Sequence, residues 1–129
     1  MPPQTGLQAE LRRVVSPSMT AEAYANPGFA VLGTPALVGL FEEAGMRAIA
    51  NAIAPNEGSV GTRISDSHVA PTPLGEEVRV RARLSQVEGR RLVFALDASD
   101  PTRQIATREM ERFIVDVSRF MTKAIERKA

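Results

Sequence analysis

A carboxylate stands within the most apolar segment of the chain, residues 34–53, whose sequence is TPALVGLFEEAGMRAIANAI. A helix over this segment turns by 100° per residue, which separates Glu42 from the polar stripe on the solvent side. That stripe consists of Glu43, Arg47 and Asn51. A carboxylate in apolar surroundings has a raised pKa and can act as a general base or acid near neutral pH. Two interpretations remain open: Glu42 is catalytic, or it lies at the helix edge and reaches solvent or an arginine such as Arg112.

The helix itself has recognisable ends. We expect Thr34 as its N-cap, Pro35 as its first residue, and an end before Pro55. Gly39 and Gly45 flank Glu42 and are expected to leave room for a ligand to approach the carboxylate.

The single histidine of the chain, His68, lies near the end of the segment SVGTRISDSHVA. Strand alternation places five residues on one face if no bulge intervenes, namely Val60, Thr62, Ile64, Asp66 and His68. A lone histidine is more often structural than catalytic, and Asp66 is too distant along the strand for a sure pairing with it. Gly61 either offers its backbone N–H to a substrate oxygen or marks a bulge.

The remaining pattern predicts the architecture that must position these residues. A strand (LQAELRRVVSP) and an irregular segment precede the helix, and four strands follow it: VGTRISDSHVA, EVRVRARLSQV, RLVFALDASD and ATREMERFIVDV. Short turns join antiparallel neighbours, and a sheet with one apolar face needs a covering element. The sequence therefore predicts an α+β fold, an antiparallel sheet wrapped around one long central helix, with a charged tail that frays or turns helical.

Bulk composition limits the function. A chain of 129 residues predicts a single domain over residues 1–129, and a net charge of +1 argues against a nucleic-acid partner. The absence of cysteine excludes disulfides, zinc–thiolate sites and thiol nucleophiles. One histidine and scattered acids predict no metal site, and no glycine-rich phosphate loop indicates a nucleotide cofactor. Without a signal-like or membrane-spanning apolar run, we expect a cytoplasmic protein with no membrane partner.

Several motifs in one order carry a family resemblance. They are GTPALVGLFEEA, GSVGTRISDSHVAPTPLG, VEGRRLVFALDASD and ERFIVD, within the stretch from Gly33 to Arg119. This ordered set resembles the hot-dog thioesterases of the fluoroacetyl-CoA thioesterase-like group. The resemblance implies a hot-dog fold and hydrolysis of a small acyl-CoA thioester to free acid and CoA. It also implies a homodimer with active sites between subunits, and no cofactor apart from the CoA of the substrate.

The resemblance also implies roles for individual residues. Thr34, Glu42 and His68 match the family's catalytic positions. Thr34 would orient or polarise the reacting group, Glu42 would attack the thioester carbonyl or activate water, and His68 would assist proton transfer or stabilise charge. The N–H of Gly61 would bind the carbonyl oxygen, and Arg112 is expected among the substrate-binding residues.

The chain departs from the family pattern at two places. Near residues 106–110 the family has glycines and a histidine, where this chain has Ala106, Arg108 and Met110. Before the helix the paired aromatic lid residues are absent, and only Phe29 lies nearby. These differences favour a general acyl-CoA thioesterase, or one with a reshaped pocket, over fluoroacetyl specificity.

Two alternatives remain. One is a hot-dog protein that binds acyl-CoA or another small ligand without turnover. The other is an acyl thioester hydratase, which is disfavoured because the motif DSH lacks the five-residue Asp–His spacing of that class. The chain also has a stripe of arginines, namely Arg79, Arg81, Arg83, Arg90 and Arg91. They would either hold the CoA phosphates or form a solvated sheet face, and the solvated face is the favoured interpretation.

Overall fold

The computed structural model describes residues 3–126, which form one five-stranded sheet and two helices. The elements in chain order are β1 (Gln8–Val14), α1 (Thr34–Ile49), β2 (Glu57–His68), β3 (Glu77–Glu88), β4 (Arg91–Ser99), β5 (Gln104–Asp116) and α2 (Val117–Glu126). Two short 3-10 turns occupy the irregular segment before α1, at Pro17–Met19 and Glu22–Tyr24. The α+β prediction is confirmed, and the charged tail is helical as far as it is described.

The core lies between α1 and the concave face of the sheet. Strand β3 alternates as predicted, because Val78, Val80, Ala82 and Leu84 are all fully buried. They pack in one apolar cluster with Leu37 and Phe41 of α1. Burial of this face supplies the main driving force for wrapping the sheet around the helix.

The strand order is β1-β3-β4-β5-β2, and every neighbouring pair is antiparallel. Tight turns join β3 to β4 and β4 to β5, with Gly89 at φ 58° in the first. The expectation that short turns join all four later strands as neighbours is wrong for β2, which pairs with β5 at the far edge. Its connection to β3, residues 69–76, contains Pro71 and Pro73. It does not form a hairpin, because it runs from the β2 edge to β3, which lies next to β1 near the opposite edge.

Both predicted ends of the central helix need correction. Gly33, at φ −79°, is the N-cap, so Thr34 is the first helical residue and Pro35 the second. The helix ends at Ile49, and residues 50–53 form turns, with the N–H of Ala52 bonded to the carbonyl of Ile49 at 2.8 Å. Because a glycine caps the helix, the hydroxyl of Thr34 is available for another contact.

A bulge in β2 changes which of its residues face the helix. Gly61 lies opposite Arg112 while Arg63 lies opposite Glu111, so Thr62 is an extra residue in the strand. An extra residue reverses the alternation on one side of it. The shared face predicted for Val60, Thr62 and His68 in the absence of a bulge therefore does not form, and the alternative interpretation of Gly61 as the mark of a bulge is confirmed. The residues that share the concave face are Ser59, Gly61, Ile64, Asp66 and His68.

Within residues 3–126, neither helix has the length and apolar character needed to cross a membrane.

Candidate active site

The first part of the site is a contact between the start of α1 and the end of β2. The Oγ1 of Thr34 lies 2.9 Å from the Nδ1 of His68. The other ring nitrogen, Nε2, is buried and has no hydrogen-bond partner within residues 3–126. A buried polar atom without a partner is costly in a folded protein, which sets Nε2 apart from most buried polar groups.

Asp66, two residues before His68, has the same property. Its Oδ2 is buried and has no hydrogen-bond partner in the described part of the chain. Both side chains project from the concave face of an edge strand. Asp66 and His68 thus each carry a buried atom near the end of β2 that is unpaired within the described residues.

The second part of the site is built around Glu42, two helical turns further along α1. Its Oε1 accepts a hydrogen bond from the Nη1 of Arg112 at 3.3 Å. A β-carbon placed on Gly61 would lie only 2.8 Å from the same oxygen. The glycine therefore allows the carboxylate to lie directly against strand β2, a position that any larger residue at 61 would obstruct.

Ser59 holds the arginine of this cluster in place. The Nε of Arg112 donates to Ser59 Oγ at 2.8 Å, and its Nη2 donates to the Ser59 carbonyl at 2.7 Å. Arg112 is 3% exposed. Burial lowers the pKa of the Arg112 guanidinium and the neighbouring Glu42 partly offsets this, but arginine remains charged in proteins. Sequence reasoning missed Ser59, because only the bulge brings it to the concave face.

The environment of Glu42 differs from the one predicted. Its side chain is 41% exposed, against 34% for Glu43, so the expectation of a carboxylate on the buried side is wrong for the isolated chain. Its contact with Arg112 is the one named by the edge-of-helix interpretation. Glu43 does not point freely into solvent either, because it bridges Arg13 of β1 and Arg47 at 2.7 Å each.

The two glycines near Glu42 also differ from each other. A β-carbon on Gly39 would meet no atom within 4 Å, as expected for a position that leaves room. A β-carbon on Gly45 would lie 2.5 Å from the side chain of Met110. Gly45 therefore serves close packing of α1 against β5, and the expectation of open space there is wrong.

The isolated chain does not bring the three predicted catalytic residues into one cluster. Thr34 pairs with His68, whereas Glu42 pairs with Arg112 beside Gly61. Eight residues of α-helix separate Thr34 from Glu42, a rise of about 12 Å along the axis. The chain thus carries two half-sites on the same helix.

Other candidate sites have less support. No three metal-ligating side chains converge anywhere in residues 3–126. Four of the five arginines on the outer face are engaged in ion pairs within the chain, for example Arg81 with Asp97 at 3.0 Å and Arg90 with Glu57 at 3.2 Å. This pairing favours a solvated sheet face over a phosphate-binding stripe.

Comparison with known proteins places this geometry in a family. A family model described as fluoroacetyl-CoA-specific thioesterase matches residues 15–118. The chain belongs to this family. A fluoroacetyl-CoA thioesterase from Streptantibioticus cattleyicolor is 41% identical over 102 residues, which are 76% of this chain and 73% of the relative.

Solved structures show the same fold. A structure of the fluoroacetyl-CoA thioesterase FlK superposes with a TM-score of 0.89 at 35% identity, covering 100% of both chains. A hot-dog-like protein from Thermanaerovibrio acidaminovorans superposes with a TM-score of 0.89 at 25% identity, covering 97% of this chain and 93% of its own. The predictions of a hot-dog fold and of an acyl-CoA thioester hydrolase are thereby confirmed.

Proposed function

We propose that this thioesterase hydrolyses small acyl-CoA thioesters with Glu42 as the residue that attacks or activates. The observation that carries the proposal is the partly exposed Glu42 carboxylate, which lies against Gly61 and next to the buried guanidinium of Arg112. A thioester carbonyl that approaches the exposed side of this carboxylate lies close to a glycine backbone and to a fixed positive charge. Such preorganised groups stabilise the charge that develops during acyl transfer.

Two routes are compatible with this arrangement. In the first, the Glu42 carboxylate attacks the carbonyl carbon, the C–S bond breaks, and the resulting anhydride is hydrolysed by water. In the second, Glu42 takes a proton from a water molecule that attacks the same carbon. In both routes CoA leaves as the thiolate and takes up a proton, for which His68 is the proposed donor. Label in the Glu42 carboxylate after a single turnover in ¹⁸O-labelled water identifies the first route with attack of water on Glu42 Cδ. Attack of water on the acyl carbon leaves label only in the product acid in either route, so trapping the anhydride with hydroxylamine completes the test.

We propose a homodimer in which Glu42 of one subunit meets Thr34 and His68 of the other. Three features support this arrangement. The two half-sites lie apart in one chain, the edge strand β2 has an unpaired side, and both Asp66 Oδ2 and His68 Nε2 are buried without partners in the described residues. An exposed edge strand is a ready surface for pairing with a second copy. Sedimentation as a monomer at micromolar concentration would contradict the dimer.

The substrate is proposed to be a general acyl-CoA, without metal or other cofactor. Fluoroacetyl-CoA is the substrate in the name of the Streptantibioticus relative, but the aromatic residues of this chain in the segment before α1, Tyr24 and Phe29, are 50% and 55% exposed. An exposed side chain encloses a two-carbon acyl group poorly.

A thiol-release assay on short, branched and aromatic acyl-CoAs, with fluoroacetyl-CoA included, tests this function. We expect release from several substrates in the presence of a chelator. Binding without release from any of them would indicate the non-catalytic alternative, and hydration of crotonyl-CoA without thiol release would indicate the hydratase.

A further inference from the structure

A cavity of about 620 Å³ lies between the second half of α1 and the start of β2, and neither half-site uses it. Its walls are mostly apolar and include Met46, Ile49, Ile53, Ala54 and Gly58. Binding pockets for small ligands have volumes of roughly 300–1,000 Å³ and are lined mainly by apolar side chains. In size and lining the cavity therefore suits an extended hydrocarbon chain.

The cavity is continuous with the Glu42 cluster through two of its walls. Met46 lies four residues after Glu42, so the two side chains are neighbours on one face of α1. Ser59 lines the cavity and also accepts the hydrogen bond from Arg112, whose guanidinium contacts Glu42. A substrate carbonyl beside Glu42 is thus within one helical turn of the cavity.

The cavity also presents an exposed apolar side chain that a hydrophobic ligand would cover. Met46 is 44% exposed, on a side of α1 where Glu42 and Ala50 are also accessible to solvent. Methionine adapts its shape to irregular partners and is frequent on apolar binding surfaces. A ligand chain that covers Met46 removes apolar surface from water, and this removal lowers the free energy of binding.

We propose that this cavity binds the distal part of the acyl chain, so that the preferred substrates are linear acyl-CoAs longer than acetyl. The inference rests on the proposed function, because it assumes that the thioester carbonyl lies at Glu42. The carbonyl end stays beside the Glu42 carboxylate, and the hydrocarbon extends along α1 past Met46 towards Ile53. Glu57, which also lines the cavity, disfavours acyl chains that end in a carboxylate near it.

The test is a chain-length series of acetyl-, butyryl-, hexanoyl- and octanoyl-CoA, followed by thiol release. Each methylene that enters the cavity is expected to raise kcat/KM by up to about fourfold, mostly through KM, because substrate and transition state bury it equally. A rise from acetyl to hexanoyl supports the proposal. Turnover with a flat or falling profile overturns it while leaving the proposed function intact, and no thiol release from any member overturns the proposed function itself.

Matched variants locate the effect. Met46→Trp fills the cavity and is expected to lower the hexanoyl-to-acetyl ratio of kcat/KM at least tenfold. Arg47→Trp adds the same bulk one residue later, outside the cavity lining, and is expected to retain the parent ratio. Ala54→Phe, from the opposite rim, provides a second obstruction should Met46→Trp unfold. Equal ratios in the parent, the folded obstructed variants and Arg47→Trp would overturn the proposal.

Discussion

The Oε1 of Glu42 lies 2.8 Å from the position that a β-carbon on Gly61 would occupy. No side-chain atom other than hydrogen can stand at residue 61 while the carboxylate keeps this place. The position of the Glu42 carboxylate on α1 therefore depends on a glycine in β2, although 18 residues separate Glu42 from Gly61 in the sequence.

Gly61→Ala is expected to displace Glu42 and lower kcat/KM for acyl-CoA by about tenfold to a hundredfold, equivalent to roughly 1.4–2.7 kcal/mol of barrier. Gly39→Ala is the matched control, because its methyl group meets no atom within 4 Å. That change is expected to raise the free energy of unfolding by up to about 1 kcal/mol through helix propensity. Thermal melts and steady-state kinetics measure both. A Gly61→Ala enzyme with parental kcat/KM would refute the proposed location of the reacting carbonyl.

Glu42→Gln is expected to reduce thioester turnover by about a hundredfold or more, because an amide neither attacks the carbonyl nor accepts a proton. Glu43→Gln tests the neighbouring carboxylate. It weakens the bridge to Arg13 and Arg47, so we expect a stability loss of at most about 1 kcal/mol, with kcat nearly unchanged. Thiol-release rates at saturating substrate decide between them. Equal rates for Glu42→Gln and the parent would contradict a catalytic role for Glu42.

Thr34→Val removes the hydroxyl that contacts His68 Nδ1 while keeping a similar shape. We expect kcat to fall about tenfold or more, within the range for a group that supports proton transfer, and Thr34→Ser to restore most of it. Because a purely structural loss would not change the imidazole, ¹⁵N chemical shifts of His68 should report an altered tautomer balance in Thr34→Val. Unchanged shifts together with unchanged kcat would show that the contact plays no part in the reaction.

Mixing two inactive variants tests the intersubunit site. If Glu42 and His68 act from different subunits, a heterodimer of Glu42→Gln and His68→Ala has one site with both defects and one intact site. Random reassembly should then restore about a quarter of the parental activity, because half of the dimers are mixed and half of their sites are intact. Each variant reassembled with itself is the control. If the mixture recovers no activity although native mass spectrometry detects mixed dimers, the residues act within one subunit.

The C-terminal helix α2 is expected to lose its N-terminal support in acid. Asp116 accepts from the N–H of Arg119 at 2.9 Å and from Asn56 Nδ2 at 2.8 Å, and these bonds lower the pKa of the Asp116 carboxyl below the ordinary aspartate value of 3.8. Since the folded pKa is depressed, the contribution to stability is present above pH 3.8 and is lost as pH falls through the lowered value. Amide hydrogen exchange across residues 117–126 should therefore show an added loss of protection below pH 3.8, after correction for intrinsic exchange rates. In Asp116→Ala the protection should be weak already at neutral pH, without this further acid step.

Sequence periodicity was sufficient to predict the strands and the central helix, although the buried position that it predicted for Glu42 is not the one observed. The alternation of Val78, Val80, Ala82 and Leu84 requires one buried sheet face, and residues 34–53 require a helix to cover it. Such patterns are local, because side-chain direction follows from the helical or strand repeat alone. The ordered motifs then indicated the family.

The arrangement of the site depended on the tertiary structure. The bulge at Thr62 turns Ser59 and Gly61 towards the helix, and the pairing of β2 with β5 places Arg112 between Ser59 and Glu42. Register and bulges are set by contacts between strands distant in the chain, so a local repeat carries no information about them. For the same reason, the sequence identified Thr34 and His68 as candidates, but only the packing of the helix start against the end of β2 determined that their side chains touch.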